Sequence, residues 1–342
     1  MVVLACVPSV ALGASVSVSS FRQDREECRD IGTCELAYDV LYQAPKGEGN
    51  ALTITQEEGG VFRFRDDGAP LQPGKGCVAV DANEVTCKAK NLFALTVELG
   101  NADDTATFVT MTERVTVSGG SGTDVLNGGA GDDLLDGGTG ADTLSGGPGD
   151  DELTGGKAPE SKVEPDVLDG GDGTDRVRYD DRKKPISVNL SDPAGGAGES
   201  GEGDSLVAIE TVVGGSARDL LIGSPGPDKL EGSEANDLIR GMGGDDSLIG
   251  DEGADRLYGS AGRDTLEGWG GRDKLVGGCG RDSFEGGGGS DRILARDGLR
   301  DRIEGGPLEN LKDRDFAAVD AGIDSVKHVE RLRKRPPPQA AC

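Results

Sequence analysis

The segments GDEGADRLY (250–258), GSAGRDTLE (259–267), GWGGRDKLV (268–276), GGCGRDSFE (277–285) and GGGGSDRIL (286–294) follow one another without a gap. With the four units before them they divide residues 214–294 into nine nonapeptides in one register. Glycine opens each unit, glycine or alanine stands fourth, aspartate sixth and an apolar residue eighth. The sixth-place residues are Asp219, Asp228, Asp237, Asp246, Asp255, Asp264, Asp273, Asp282 and Asp291. The eighth-place residues are Leu221, Leu230, Ile239, Leu248, Leu257, Leu266, Leu275, Phe284 and Ile293.

This period has a local cause. A glycine-rich hexapeptide can turn through positive φ without a Cβ penalty. The following tripeptide is a minimal strand, with its apolar residue inward and its neighbours outward. Two units make one lap of a flattened spiral, and successive laps stack as parallel strands. One large apolar side chain per nine residues is a thin core, so the turns need a further bond. The aspartates supply it, because stacking gathers carboxylates and turn carbonyls of neighbouring laps around a shared hollow. An all-oxygen donor set without imidazole or thiolate suits a hard cation such as calcium.

The same pattern opens earlier. GGSGTDVLN, GGAGDDLLD, GGTGADTLS and GGPGDDELT run from Gly119 to Thr154, with sixth-place Asp124, Asp133, Asp142 and Asp151. A fifth unit starts at Gly155, is interrupted within 157–165 and resumes at Asp166; GGDGTDRVR follows with Asp175. Beyond Leu294 a unit with one extra residue keeps Asp301 and Ile303. These units resemble the hemolysin-type (RTX) calcium-binding repeats. The resemblance implies a parallel β-roll in which the sixth-place aspartates and turn carbonyls hold several Ca2+ ions between units two apart. Ala217 and Ala235 at the fourth place, and non-glycine residues at the second, depart from the family pattern around 214–240.

The expected fold class is therefore all-β: a parallel β-roll, or solenoid, of Gly-Asp nonapeptides preceded by a small all-β domain. Alternating runs such as Leu52-Thr53-Ile54-Thr55 and Val61-Phe62-Arg63-Phe64 place that domain at 15–117, stacked as a cap on the spiral or set apart on a linker. The first repeat block spans 119–178, an irregular spacer 179–213 and the second block 214–304. A degenerate cap at 305–330 and a basic, proline-rich tail at 331–342, expected to be solvated and without regular structure, close the chain.

Composition narrows the function. The 342 residues carry 58 glycines, one Trp, four Tyr, seven Phe and a formal charge of −27. Such a charge disfavours nucleic acid and anionic membrane as partners. No stretch of eighteen apolar residues is present, so no membrane span is expected. The apolar start, ending in small residues near Ala14, reads as a secretory signal peptide at 1–14. Six cysteines follow Cys6, and close spacing in an oxidising compartment suggests the disulfides Cys28–Cys34 and Cys77–Cys87. Cys279 and Cys342 are expected to stay exposed.

Catalytic readings fare poorly. The one histidine, His328, excludes an HExxH zinc site. Gly203-Asp204-Ser205-Leu206 spells the signature of GDSL serine esterases, a remote alternative. That family places a D-x-x-H near the C terminus, whereas Asp324 and His328 stand one residue too far apart. Acidic pairs such as Asp132-Asp133 and Asp150-Asp151 read as outward charge beside a ligand. The leading expectation is a secreted, extracellular, non-catalytic calcium-binding protein. The alternative is an adhesin or surface-layer component that uses the roll as a spacer and meets a cell-surface polymer or glycan.

Overall fold

The computed structural model describes residues 14–21, 37–44, 47–89, 92–156, 164–306, 315–320, 324–329 and 331–335. Strands and turns make up these residues, and most strand pairings are parallel. The chain divides into two compact units, Met1–Pro148 with Gly155–Lys157, and Gly149–Thr154 with Ala158–Cys342.

In the first unit the strand Ala37–Gln43 pairs in parallel with Leu92–Glu98, then Val115–Ser121, then Leu134–Thr139. A second parallel row joins Ala51–Glu57, Thr105–Val109, Val125–Asn127 and Thr143–Pro148. Both rows bury alternate residues, Val40, Tyr42, Leu95, Val97, Val115, Val117 and Leu135 in one and Leu52, Ile54, Ala106, Phe108, Leu126 and Leu144 in the other. The unit that holds the early strands thus runs past residue 117 into the first repeats. Antiparallel pairs close its outer side: Ala14–Phe21 on Ala37–Gln43, and Val61–Asp66 between Ala51–Glu57 and Glu84–Lys88. Ala14, read as the end of a leader, opens the first of these strands and is buried; residues 1–13 lie outside the described residues. Cys77 and Cys87 face each other across an antiparallel pair and form a disulfide with Cα atoms 4.2 Å apart. The Cys28–Cys34 pairing and Cys342 lie outside the described residues. Cys279, expected to stay exposed, is half-buried and disulfide-bonded.

The second unit repeats one registration many times. Val212, Leu230, Leu248, Leu266, Phe284, Ile303 and Val326 are mutual partners along one parallel sheet. Leu221, Ile239, Leu257, Leu275, Ile293, Ala317 and Leu332 are partners along another. Apolar side chains stacked at the strand spacing of about 4.8 Å form two continuous ridges. From Val212 to Ile303 and from Leu221 to Ala317 they are at most 2% exposed. The irregular stretch 179–213 takes part: Ile186–Asn189 pairs with Leu220–Ile222, Ser205–Val207 with Val167–Asp172, and Thr211–Val213 with Arg176–Arg178.

The basic tail departs from expectation. Arg331–Arg335 is a strand that pairs in parallel with Phe316–Asp320. An open parallel sheet leaves a row of backbone N–H and C=O groups at its edge, and this segment satisfies them. Residues 336–342 lie outside the described residues.

Candidate metal-binding ladder

The sixth-place aspartates are not surface charges. Asp124, Asp133, Asp142, Asp151, Asp166, Asp175, Asp219, Asp228, Asp237, Asp246, Asp255, Asp264, Asp273, Asp282, Asp291 and Asp301 are all at most 4% exposed. Two features of the repeat put them there. The aspartate precedes the strand tripeptide by one residue, and its side chain turns back beneath the glycine corner of its own unit.

One carboxylate oxygen serves the fold. The Asp219 N–H donates to Asp237 Oδ1 at 2.7 Å, Asp237 to Asp255 and Asp255 to Asp273 at 2.8 Å, and Asp273 to Asp291 at 2.9 Å. A second column runs from Asp228 through Asp246, Asp264 and Asp282 to Asp301 at 2.9 to 3.1 Å. In the first unit the Asp124 N–H donates to Asp142 Oδ1 at 2.8 Å, and the Asp133 Oδ1 accepts from Val115. Along these columns each lap is thereby tied to the next through an aspartate, whereas the Asp175 N–H donates to Glu210 Oε2 at 2.9 Å.

The other oxygen is left over. Oδ2 of Asp124, Asp175, Asp237, Asp246, Asp255, Asp264 and Asp273 is buried with no hydrogen-bond donor. Its surroundings are oxygens as well. A Cβ built on Gly268 would stand 2.6 Å from Asp273 Oδ2 and 2.5 Å from the carbonyl oxygen of Gly286, one lap on. Gly223 has the same relation, at 2.5 Å each, to Asp228 Oδ2 and the Gly241 carbonyl. The opening glycine of each unit is thus required because a side chain would fill the space where the carboxylate and the next lap's carbonyl converge. A buried anion facing carbonyl oxygens is costly unless a cation stands between them. The donor chemistry, hard oxygens only, fits calcium. Among the described residues no three acidic, histidine or cysteine side chains gather as a metal cluster.

Electrostatics registers the same conflict. Burial, reinforced by neighbouring carboxylates, pushes the Asp237 and Asp273 carboxyls up to about 8. Burial likewise raises Asp124, Asp246 and Asp301 to about 7, and Asp175, Asp255 and Asp282 to about 6. Three rungs differ. Asp133, Asp219 and Asp228 turn Oδ2 onto the N–H of Gly129, Gly215 and Ser224 at 2.6 to 2.7 Å.

Four aspartate rungs escape the nonapeptide pattern, as does Glu210, whose Oε2 accepts from the Asp175 N–H. Asp104 Oδ1 accepts from Asn50, and its buried Oδ2 also lacks a donor, although Leu99 replaces the opening glycine of its unit. Asp204, Asp315 and Asp324 accept from Asp166, Asp291 and Asp301 at 3.1, 3.0 and 3.2 Å. All four share the tripeptide Asp-x-apolar (Asp104-Thr-Ala, Asp204-Ser-Leu, Asp315-Phe-Ala, Asp324-Ser-Val), a signal that survives without the glycine turn.

The second place of the turn carries strain. Ser233, Met242, Asp251, Ser260 and Trp269 hold φ between 63° and 85°, the left-handed region that glycine occupies elsewhere in the same column. Met242 and Trp269 are exposed there, and the Trp269 indole N–H donates to Glu267.

Parallel laps joined through buried aspartates, with carboxylate and carbonyl oxygens converging at each corner, define a β-roll of metal-binding repeats. The model of the RTX calcium-binding nonapeptide repeat matches in four copies, at residues 118–153, 213–248, 249–283 and 268–299, so the chain carries RTX calcium-binding nonapeptide repeats. Comparison with curated proteins gives no match.

Proposed function

We propose that this is a secreted, extracellular protein whose roll closes and stiffens on calcium, the rung aspartates being the ligands, and that it is not an enzyme. The supporting observation is the set of buried Oδ2 atoms that face carbonyls and have no donor. Rung aspartates such as Asp237, Asp246, Asp255, Asp264 and Asp273 would bind through Oδ2 together with the opening carbonyl of the next lap. Calcium would supply the positive charge that lets the carboxylate stay buried and ionised beside that carbonyl. Weak sites, with Kd about 10⁻⁴–10⁻³ M, fill outside a cell and not in cytosol. Against esterase chemistry, Ser205 lies in a strand beside Val167–Asp172, and the His328 ring stands 3.3 Å from Glu304 Oε1. The strands Lys229–Glu231, Ser247–Ile249, Thr265–Glu267 and Ser283–Glu285 stack between Thr211–Val213 and the Arg302–Glu304 strand that bears that glutamate.

The test is far-UV circular dichroism during calcium titration with reversal by EGTA. A cooperative gain of β signal in millimolar calcium is expected, with little from magnesium, which demands small octahedral cages. An ordered spectrum and unchanged melting point after thorough chelation would overturn the proposal. A second reading, attachment of the roll to an anionic cell-surface glycan, draws on one observation. In a chain of charge −27, Arg281, Arg300, Arg302 and Lys327 line a single cleft. Salt-sensitive retention on an anionic glycan matrix would favour it, and passage straight through would dismiss it.

A further inference from the structure

Resting on the calcium reading, we propose that each compact unit contains a lap that holds without a metal ion, because a side-chain donor, Asn50 in one and Tyr179 with Arg182 in the other, stands among its oxygens. In the first unit the key residue is Asn50. Leu52 pairs with Ala106 as Ala106 pairs with Leu126, which puts Asn50, Asp104 and Asp124 in one rung column. The Asn50 N–H donates to Asp104 Oδ1 at 2.6 Å, the bond that Asp104 itself makes to Asp124 at 2.8 Å.

The side chain of this rung is an amide, and its nitrogen does what a cation does elsewhere. Asn50 Nδ2 lies 2.9 Å from Asp104 Oδ1, 3.2 Å from the Leu99 carbonyl and 3.0 Å from the Glu48 carbonyl. Leu99 opens the unit of Asp104, so the amide nitrogen stands where a repeat corner has the rung's own Oδ2 beside the next lap's opening carbonyl. An N–H donor between two oxygens needs no counter-charge. The Tyr42 hydroxyl, 3.1 Å from Asn50 Oδ1 and 2.7 Å from Asp66 Oδ2, locks the amide orientation. Asp66 Oδ1 in turn accepts from the N–H groups of Ala51, Gly68 and Ala69 at 2.9, 2.9 and 3.1 Å.

In the second unit the corresponding lap lies where the nonapeptide lapses. Asp204 is the rung, and its Oδ2 accepts from the Tyr179 hydroxyl at 3.1 Å. Beside it Arg182, whose side chain is 3% exposed, holds Glu202 Oε1 at 2.7 Å and lies 5.7 Å from the Tyr179 ring centre. Glu202 Oε2 accepts from the Glu199 N–H at 2.7 Å, and the Arg182 carbonyl accepts from Ser216 at 3.0 Å. A guanidinium that belongs to the chain cannot leave on chelation. Asn50 and Arg182 therefore mark laps that persist when calcium is withdrawn, and the cation-dependent laps close upon them.

Hydrogen–deuterium exchange on the full chain, in EGTA and in millimolar calcium, tests this. In EGTA, peptides covering 47–66, 99–109 and 179–206 should exchange slower than those covering 228–294 by roughly tenfold or more, and calcium should slow the latter group. Asn50→Asp should abolish protection of 47–66 and 99–109 in EGTA and regain it in calcium. Asn50→Ala should lose it in both. Arg182→Gln should make 179–206 calcium-dependent in the same way. Equal exchange of all these peptides in EGTA, or an Asn50→Asp variant that calcium does not restore, overturns the inference while leaving the calcium reading intact. Failure of that reading looks different: peptides of 228–294 would be as protected in EGTA as in calcium, and the inference would fall with it.

Discussion

Replacing Asp273 by asparagine should move stability in opposite directions with and without calcium. The carboxyl is 2% exposed, its Oδ1 accepts from Asp255, and its Oδ2 has no donor. Burial raises it from the ordinary carboxylate range to about 8. In a chelated chain at pH 7 the folded state must hold this group protonated, and protonating it there costs the difference between pH 7 and its unfolded value, about 4 kcal/mol at 1.36 kcal/mol per unit. That figure is a ceiling. Water entry and backbone relaxation bring the gain into the range for one unmet buried polar group, on the order of 1–3 kcal/mol. An amide keeps the Oδ1 acceptor and turns an NH₂ toward the Gly286 carbonyl, as Asn50 does toward Leu99. In EGTA, Asp273→Asn should therefore raise the melting temperature. In saturating calcium it should lower it relative to wild type, because one charged ligand is gone. Thermal melts followed by circular dichroism in both media decide the matter. A variant destabilised equally in the two media would refute the reasoning, since Asp273 would then be only a hydrogen-bond acceptor.

Acidity should act on the chelated protein against ordinary habit. The folded values of Asp237 and Asp273 (about 8) and of Asp124, Asp246 and Asp301 (about 7) exceed their unfolded ones, so the folded state binds more protons. Stability without calcium should be fullest near pH 4 and be lost progressively toward pH 8, measured by urea midpoints; calcium affinity from calorimetry should rise over the same interval. Met242→Gly, which relieves a φ of 81°, should stabilise the roll by about 1 kcal/mol in urea titrations without altering calcium affinity. Leu248→Ala, at a fully buried ridge position, should cost about 2–5 kcal/mol in calcium, read from the same titrations.

The roll was legible from 214–294 because each requirement is local: the corner needs glycine, the rung needs aspartate, and the ridge needs one apolar residue at a fixed distance. Where tertiary contact substitutes for local need, the pattern fades. Asp104 and Asp204 sit in the rung columns although Leu99 and the 194–203 loop replace the glycine corner. Asn50 and Arg182 carry no periodic mark, since their roles depend on oxygens brought from distant segments. Arg331–Arg335 reads as a polar tail by composition, but strand pairing is a backbone interaction that side-chain charge does not forbid. The Cys77–Cys87 bond was visible from spacing alone because ten residues suffice for a hairpin.

Trp269 is the only tryptophan in the chain and directly follows Gly268, the residue over whose Cα the Asp273 carboxylate and the Gly286 carbonyl converge. Its exposed indole is tied to Glu267 on the same corner. The protein thus contains a native optical probe, one residue from a candidate ion position, whose emission can follow the closing of a single corner in a stopped-flow instrument without any attached dye.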